Sequence, residues 1–398
     1  MRPVETPYYT YELAEVRRAH RRLRAALPEG SPLFYSLKAN AHPAVLGELA
    51  RAGCRAEVSS PGELVSALAA GFAPAEVVYT GPGKREEDVR FAVDRGVRLF
   101  SVDSPTALDQ LDRVGSTSRT RLDAVLRVNQ PDPPRGVGLA MTGGASKFGV
   151  DLGWVVSDPD AFADRARVTV VGAHLYMGSN LGTEEALLGV FEHAVAAAGA
   201  VRAALGRDLA FLDLGGGFGA PYAQPGPLPD LGTLRERLGD LFDRTVPGWR
   251  AGAPRIAFES GRYLATACGT LVCTVLDVKR SGGRRIAVLD SGVHHLGGMS
   301  GLGHEEVIGP RVLTDAPGAP TPGWTLAGPL CHPLDTWGSD LVLPELRVGD
   351  RISVPNVGAY ALSASLVLFH GHAMPWEVVL DEGTEVDRSR LTPVRERP

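Results

Sequence analysis

The octet Leu33-Phe34-Tyr35-Ser36-Leu37-Lys38-Ala39-Asn40 opens a series of apolar segments that alternate with amphipathic ones. Its first five residues have the composition of a short buried β-strand. Lys38 follows directly, so its side chain is expected at the C-terminal mouth of that strand, against apolar walls. Desolvation disfavours the ammonium form and leaves a nucleophilic amine, which an imine-forming lysine requires. The alternative is a lysine whose stem covers apolar surface while its ammonium group reaches water.

Composition limits the classes of protein to consider. The 398 residues are 44% hydrophobic and 22% charged, which is typical of a globular chain of about two or three domains. The net charge of −5 and the absence of a basic block argue against nucleic acid and membranes as partners. Residues 1–20 carry charges throughout and lack the apolar core of a signal peptide. The four cysteines have neither CxxC nor zinc spacing, so reduced thiols and a cytoplasmic location are expected.

The order of apolar and amphipathic segments predicts the fold class. Eight strand-like runs, with amphipathic helical stretches between most of them, indicate an α/β chain with a (β/α)8 barrel; a doubly wound parallel sheet is the alternative. Downstream of Arg262, strand-like runs and Gly/Pro turns predict a β-rich second domain, in which residues 365–369 form a strand and residues 381–398 fray. The barrel runs are residues 33–37, 56–59, 76–79, 98–102, 122–128, 168–176, 210–214 and 255–259.

Polar residues stand at the ends of the predicted barrel strands, where catalytic groups of this architecture gather. His174 and Tyr176 share one face at the end of the sixth strand. The seventh strand ends in Asp213-Leu214-Gly215-Gly216-Gly217-Phe218-Gly219, and the eighth in Glu259-Ser260-Gly261-Arg262. A glycine loop lets backbone N–H groups approach an anion, and a phosphate site commonly follows the last two strands. A phosphate cradle beside an imine-forming amine suggests pyridoxal 5'-phosphate.

Several motifs resemble a known family. Tyr35-Ser36-Leu37-Lys38-Ala39-Asn40 is similar to the cofactor-lysine motif of pyridoxal-phosphate decarboxylases with an alanine-racemase-like barrel, the group of the diaminopimelate, ornithine and arginine decarboxylases. The resemblance implies a barrel over residues 26–262 and a β-rich domain of residues 1–25 and 263–398 that contributes to the active site of a homodimer. Further motifs that carry it are Thr6-Pro7-Tyr8-Tyr9-Thr10-Tyr11-Glu12-Leu13, Gly178-Ser179, Gly215-Gly216-Gly217-Phe218, Glu259-Ser260-Gly261-Arg262, Gly328-Pro329-Leu330-Cys331-His332-Pro333-Leu334-Asp335 and Gly358-Ala359-Tyr360.

The resemblance also implies roles for individual residues. Lys38 carries the cofactor, and Glu259 keeps the ring nitrogen protonated, which makes the ring a stronger electron sink. Cys331, supplied by the neighbouring subunit, returns a proton to the substrate carbon, and Asp335 lines the same shared site. Racemases of this fold place an arginine at the position of Glu259, so this glutamate favours a decarboxylase. The residues expected to bind the cofactor phosphate or shape its loop are Ser179, Gly215, Gly216, Gly217, Arg262 and Tyr360.

Two departures from the family pattern lie near the cofactor. The acidic residue near Lys38 is Glu57, where the family has aspartate. Tyr176 stands where an imidazole usually packs on the cofactor ring, with His174 two residues earlier. One of the two is expected to stack on the ring, and Tyr176 is favoured. Glu63 is expected either to support the Lys38 strand or to act as a helix N-terminal carboxylate.

Two further departures concern the substrate. The residue after the catalytic cysteine is normally acidic and binds the distal amine of the substrate, but here it is His332. The stretch that begins at Asp290 contains His294 and His295 and lacks the arginine that diaminopimelate decarboxylases use for the distal carboxylate. Both groups that would bind a charged distal end are therefore missing.

These departures resemble a subgroup from natural-product biosynthesis that decarboxylates an amino acid held as a thioester on an acyl carrier protein. The thioester removes the distal charge, so the resemblance implies a glutamyl, aspartyl or methylaspartyl substrate in antibiotic-type secondary metabolism. One alternative is that His332, His294 and His295 bind some other small amino acid directly. Further alternatives are a decarboxylase of free diaminopimelate, ornithine or lysine, a racemase of the same fold, and a non-catalytic cofactor binder. No metal is expected.

Overall fold

The structure is a computed structural model that describes residues 4–130, 139–140, 144–297 and 309–397. The chain divides into a barrel unit, Arg17–Ala220 with Leu228–Leu264, and a β unit, Met1–Val16 with Pro221–Pro227 and Ala265–Pro398. Residues 17–25 thus belong to the barrel unit rather than to the second domain, and residues 221–227 belong to the β unit. The first shift arises because α1 is tied to barrel residues, and the second because the Tyr222 hydroxyl donates to the Tyr360 carbonyl at 2.7 Å.

The chain opens with β1 (Tyr8–Glu12) and α1 (Leu13–Ala26). The barrel unit then contains β2 (Leu33–Ser36), α2 (Pro43–Arg51), β3 (Arg55–Val58), α3 (Pro61–Ala69), β4 (Val77–Tyr79), α4 (Glu86–Asp94), β5 (Leu99–Val102), α5 (Pro105–Thr117), β6 (Leu122–Asn129), β7 (Leu139–Ala140), β8 (Val150–Asp151), α6 (Leu152–Ser157), β9 (Val168–Leu175), β10 (Gly178–Ser179), α7 (Glu184–Leu205), β11 (Phe211–Asp213), α8 (Leu234–Thr245), β12 (Arg255–Ser260) and α9 (Arg262–Ala265).

Eight parallel strands close into a barrel in the order β2-β3-β4-β5-β6-β9-β11-β12, which confirms the predicted (β/α)8 fold. Apolar side chains from these strands fill the core, in a cluster that includes Phe34, Val78, Val125, Phe211 and Ala257. Because all eight strands run in the same direction, their carboxyl ends meet at one rim.

Local signals define the helices around the barrel. Ser60, Ser104 and Thr183 cap α3, α5 and α7 by accepting backbone N–H groups, and proline occupies the first turn of α3 and α5. The Glu63 carboxylate accepts the Ser59 N–H at 2.7 Å, so it acts at the N-terminus of α3. α7 is long and apolar enough to cross a membrane by composition, but half of that window is buried, and α7 packs beside α6, α8 and β9 as a barrel helix.

The β unit forms one sheet in the order β17-β16-β14-β13-β1-β19-β20, with β18 also paired to β13 and β15 to β18. Residues 365–369, predicted as a strand, form turns because Ser365 folds back to bond the Ala361 carbonyl. Residues 384–389 pair with β19 instead of fraying. The strands are β13 (Gly269–Ser281), β14 (Arg284–Leu289), β15 (Leu313–Thr314), β16 (Thr321–Ala327), β17 (Thr336–Leu343), β18 (Arg351–Pro355), β19 (Trp376–Asp381) and β20 (Thr384–Ser389).

Candidate active site

Lys38 lies two residues beyond the end of β2, in a single 3₁₀ turn over Leu37–Ala39. Its side chain is 48% exposed, so the expectation of a desolvated lysine against apolar walls is wrong. The Nζ atom is 3.0 Å from one carboxylate oxygen of Glu57 and 3.2 Å from the other. The structure thus presents this amine as an accessible ammonium group paired with a buried carboxylate.

Glu57 is the third residue of β3, and its side chain is buried. Burial alone raises the pKa of its carboxyl, but the Lys38 ammonium and hydrogen bonds from Thr80, Ser36 and Lys38 outweigh burial and lower the pKa to about 2. The Thr80 hydroxyl donates to the same carboxylate at 2.5 Å. Glu57 is therefore ionised at neutral pH and fixes the position of the Lys38 amine.

Three polar side chains lie together at the ends of β9, β11 and β12. One side-chain nitrogen or oxygen atom from each of His174, Asp213 and Glu259 lies within 4.8 Å of the others, and all three residues are buried. Nε2 of His174 is 3.4 Å from Oε1 of Glu259, and its Nδ1 is 2.8 Å from the Ser101 hydroxyl. His174 is thus enclosed between Ser101 and Glu259, which disfavours it as the residue that stacks on a cofactor.

Burial dominates the electrostatics of this group. It raises the pKa of Glu259 well above the ordinary range, with further contributions from the negative charges of Asp213 and Glu57. It also raises the pKa of Asp213 to about 7, although the Gly215 N–H bond opposes the change. Burial lowers the pKa of His174 well below its ordinary value, assisted by the positive charge of Arg127. The imidazole is therefore neutral, and the two carboxyls do not both ionise at neutral pH.

The glycine loop after β11 is held between the ends of two other strands. A Cβ atom on Gly216 would lie 2.1 Å from the Glu259 carbonyl, and one on Gly215 would lie 2.4 Å from the Leu175 carbonyl. The Glu259 N–H donates to Gly215 at 2.7 Å, and Gly217 adopts a φ of +98°. These close approaches of backbone to backbone require glycine at Gly215 and Gly216.

The other predicted cofactor contacts in the barrel unit surround this loop. Tyr176 is half-buried, and its ring lies against Gly215, where a Cβ would come within 2.8 Å of Cδ2. Ser179 lies in β10, paired with Leu139 of β7. Arg262 begins α9 directly after β12, and its Nε atom is buried. The site residues predicted in the barrel unit therefore lie at the ends of its strands or in the segments that follow them.

In the β unit, Cys331 and His332 lie in the turn that connects β16 with β17. Cys331 is exposed, whereas Cys54, Cys268 and Cys273 are buried. His332 is also exposed, and its ring lies edge-on to Phe369 at a centroid distance of 6.3 Å.

Asp335, which is expected to line the shared site, has a structural role within the β unit. Its carboxylate is buried and accepts the backbone N–H groups of Val293 and Leu330, each at 2.8 Å. A Cβ on Gly292 or Gly328 would lie 2.2 Å from its oxygens. Asp335 therefore binds the turn of Cys331 to the turn of His294 instead of offering a free carboxylate to a ligand.

His294 and His295 form a buried imidazole pair with a centroid distance of 3.8 Å, and His372 lies 5.0 Å from His294. Burial lowers the pKa of His294 to about 3, assisted by the neighbouring histidines. Burial likewise lowers the pKa of His295 to about 4, although a hydrogen bond to the Ala373 carbonyl opposes it. Both rings are neutral at physiological pH.

Tyr360 also belongs to this unit and has a φ of +53°.

Several polar residues of the site did not emerge from the sequence. Thr80 and Ser101 follow their strands without a distinctive motif. Burial lowers the pKa of Lys84 to about 8, and its ammonium group donates to the Ser101 carbonyl at 2.8 Å. His370 and His372 follow the segment predicted as a strand, residues 365–369, and no sequence pattern gave them a role. Asp213 stands directly before the glycine loop, and that position was the available signal.

The residues of the barrel unit fit pyridoxal phosphate. The Lys38 amine is accessible, and Oε1 of Glu259 is buried without a hydrogen-bond partner among the described residues, as expected of an atom that awaits a ring nitrogen. The glycine loop leaves no room for side chains, and Arg262 provides a cation beside it.

Comparisons with known proteins agree with this chemistry. The family described as "Pyridoxal-dependent decarboxylase, pyridoxal binding domain" matches residues 13–266. A diaminopimelate decarboxylase of Methanothermobacter thermautotrophicus is 33% identical, over 97% of this chain and 90% of that protein. The L-glutamyl-[BtrI acyl-carrier protein] decarboxylase of Niallia circulans is 29% identical, over 96% and 90%.

A solved structure supports the fold. The diaminopimelate decarboxylase of Helicobacter pylori, complexed with L-lysine, superposes with a TM-score of 0.83 at 24% identity, covering 97% of this chain and 93% of that one. The matched family, the extent of the similarity and the arrangement of the barrel residues agree, and the chain belongs to the pyridoxal-phosphate-dependent amino acid decarboxylases with an alanine-racemase-like barrel.

Proposed function

We propose that this decarboxylase acts on an acidic amino acid held as a thioester on an acyl carrier protein, in secondary metabolism. The observation that carries this proposal is the neutral histidine group of the β unit, where relatives that act on diamino acids would require charge. The similarity to a glutamyl carrier-protein decarboxylase across nearly the whole chain supports it.

The barrel residues would hold the cofactor. Lys38 would bind it covalently, Glu259 would face its ring nitrogen, and Tyr176 would pack on the ring. Bound pyridoxal phosphate supplies the electron sink for the electron pair that remains when carbon dioxide departs. The phosphate would be held by Ser179, Gly217, Arg262 and Tyr360, with Gly215 and Gly216 shaping the loop.

The proposed assembly is a homodimer with shared sites. Cys331 of the partner subunit would return a proton to the substrate carbon. Its exposure in the described chain is consistent with that part, because a thiol that acts on another subunit must lie at the surface of its own. Asp335 would fix the turn that carries it.

The electrostatics of the β unit support a substrate without a distal charge. A buried ammonium or carboxylate group requires an opposite charge, and desolvation without one is costly. His294 and His295 are neutral at physiological pH, and His332 replaces the expected carboxylate. A thioester is neutral and requires only hydrogen-bond donors, which imidazole rings provide.

The direct test supplies the loaded enzyme with free and carrier-bound substrates. Free glutamate, aspartate, ornithine, lysine and diaminopimelate are compared with carrier-bound glutamyl, aspartyl and methylaspartyl thioesters, and intact mass reports the loss of one carbon dioxide. Turnover of a thioester at a higher kcat/KM than any free amino acid supports the proposal. A comparable or higher kcat/KM for free ornithine or diaminopimelate overturns it.

A substitution tests the specific part of His332. His332→Glu restores the carboxylate that relatives use for a distal amine, so free ornithine or lysine turnover should rise about tenfold or more. The matched control is Leu334→Glu, which adds the same charge at a 63% exposed position of the same turn. A gain in both variants, or in neither, would remove His332 from substrate selection.

A second candidate function is decarboxylation of free diaminopimelate. The 33% identity to a diaminopimelate decarboxylase favours it. In that case the distal carboxylate would require a cation outside the neutral histidine pair, and the same substrate comparison would detect the activity.

A further inference from the structure

Two carboxyl groups share the buried floor of the barrel site. Asp213 and Glu259 end adjacent strands, β11 and β12, and their side chains are 0% and 2% exposed. One oxygen atom of each carboxyl lies within 4.8 Å of one oxygen of the other, and Oδ1 of Asp213 accepts the Gly215 N–H at 2.9 Å. Oδ2 of Asp213 and Oε1 of Glu259 lack hydrogen-bond partners among the described residues. The pair therefore has two unused acceptor atoms in a buried site.

Two ionised carboxylates in such contact repel each other strongly, and one of them keeps a proton. The other ionisable groups that face the pair and its neighbour His174 come from the surrounding strands and loops. The Lys38–Glu57 ion pair is neutral as a unit, and the charge of Lys84 is opposed by that of Asp103, so Arg127 is left to favour one negative charge on the carboxyl pair. These facing groups are Lys38, Glu57, Lys84 and Arg127.

His174 closes the other side of Glu259. Its Nδ1 faces the Ser101 hydroxyl at 2.8 Å, and its Nε2 faces Oε1 of Glu259 at 3.4 Å. A neutral ring in this position adds no charge to the pair, and with Ser101 donating to Nδ1 it directs an N–H towards Glu259.

We infer that Asp213 and Glu259 act as one acid that shares a single proton, and that Asp213 is a positioning residue that accepts this proton when Glu259 binds the cofactor ring nitrogen. In the cofactor-free protein the proton resides on Glu259. A ring N–H placed at Oε1 would stabilise the Glu259 carboxylate, and the proton would then move to the neighbouring Asp213 carboxyl. No proton is gained or lost in this step.

The consequence concerns the charge offered to the ring. A lone buried glutamate would have to ionise without compensation, whereas the pair already carries one negative charge. This inference rests on the proposed contact between Glu259 and the ring nitrogen. It adds a second carboxyl that the established decarboxylase chemistry does not require by itself.

The test measures the titration of Glu259 without the cofactor. Carboxyl-labelled glutamate is followed by ¹³C NMR, with the Glu259 signal identified by its loss in Glu259→Gln. In Asp213→Asn the amide preserves the Gly215 contact but removes the like charge, so the Glu259 midpoint should fall by about one pH unit or more. If Asp213 had only a structural role, the Glu259 midpoint would not change, because asparagine keeps the same backbone hydrogen bond.

The matched control is Asp103→Asn. Asp103 also accepts a backbone N–H, that of Gly149 at 2.7 Å, but it is not among the charges that affect Glu259. A fall in the Glu259 midpoint in Asp213→Asn but not in Asp103→Asn supports the inference. An unchanged or raised midpoint in Asp213→Asn, or an equal fall in both variants, overturns it.

A parallel measurement separates this inference from the proposed function. Wild-type protein and Asp213→Asn are loaded with pyridoxal phosphate, and the visible absorption of the bound cofactor is recorded from acid to alkaline pH. Absence of the visible band in both proteins contradicts the cofactor assignment. A band in both, with the acid limb of the kcat profile moved to higher pH in Asp213→Asn, is the result expected from a Glu259 that can no longer pass its proton to a neighbouring carboxyl.

Discussion

Replacing Asp335 with asparagine should loosen the turn that carries Cys331. The Asp335 carboxylate accepts two buried N–H groups at 2.8 Å, from Val293 and Leu330. Hydrogen bonds to charged groups contribute about 1.5–3 kcal/mol each. Asparagine keeps one acceptor oxygen but directs an NH₂ donor at the second N–H, so one such bond is lost. The expected destabilisation of the β unit is about 2–3 kcal/mol, or roughly 4–12 °C in Tm for a unit of this size.

Two measurements check this expectation. Thermal unfolding of the cofactor-free protein reports stability. The rate of Cys331 alkylation by iodoacetamide reports the geometry of the turn, since the other three cysteines are buried and react slowly in the native state. We expect a lower Tm and at least about a threefold change in the alkylation rate, because the thiol is no longer fixed by its turn.

The control is Asp340→Asn. Asp340 is 67% exposed and pairs with Arg284 at 3.3 Å, so its loss should cost less than about 0.5 kcal/mol. If Asp335→Asn unfolds like wild type and Cys331 reacts at the wild-type rate, the carboxylate does not hold the turn, and the part assigned to Asp335 is wrong.

Four further predictions follow from the barrel site and the proposed assembly. Lys38→Ala should abolish the visible cofactor band and the activity while circular dichroism shows an intact barrel; normal turnover would refute the assignment of this amine. Glu259→Gln should retain the cofactor but lower decarboxylation by roughly 10²-fold or more, on the scale of a lost charge-stabilising contact; an unchanged rate with chemistry limiting would exclude it. Mixing inactive Lys38→Ala and Cys331→Ala subunits should restore part of the activity through heterodimers with one intact site, and no recovery despite proven subunit exchange would place both residues in one chain. Because the pKa of Glu57 is lowered from 4.5 to about 2 in the folded protein, its contribution to stability is present above about pH 4.5 and is lost as the pH falls towards 2; urea unfolding across this range should show less pH dependence in Glu57→Gln, and equal slopes would contradict the pairing with Lys38.

The barrel could be predicted because its signals are local. The eight barrel strands follow short, mostly apolar runs, α3 and α5 begin with an N-cap serine followed by proline, and α7 begins with an N-cap threonine. Periodicity and capping depend on residues within a few positions of one another, so one sequence contains them completely. The strand ends, and with them Lys38 and Glu259, followed from the same patterns.

The β unit was less predictable for a physical reason. Its strands pair over long separations, as β1 does with β13 and β19, and several are half-exposed with mixed polarity. The polar strand β20 is stabilised by pairing with β19 rather than by its own composition. Residues 365–369 are apolar enough for a strand, but their backbone bonds are made locally.

The sequence by itself therefore determined the barrel and the family, and it singled out Lys38 as the lysine proposed to hold the cofactor, because these depend on local periodicity and on ordered motifs. Only the tertiary structure decided the state of those residues. Barrel closure places Glu57 beside Lys38 as an ion pair, and brings Asp213 into contact with Glu259. Burial and charge at such contacts arise from residues far apart in the chain. Local sequence patterns do not encode them.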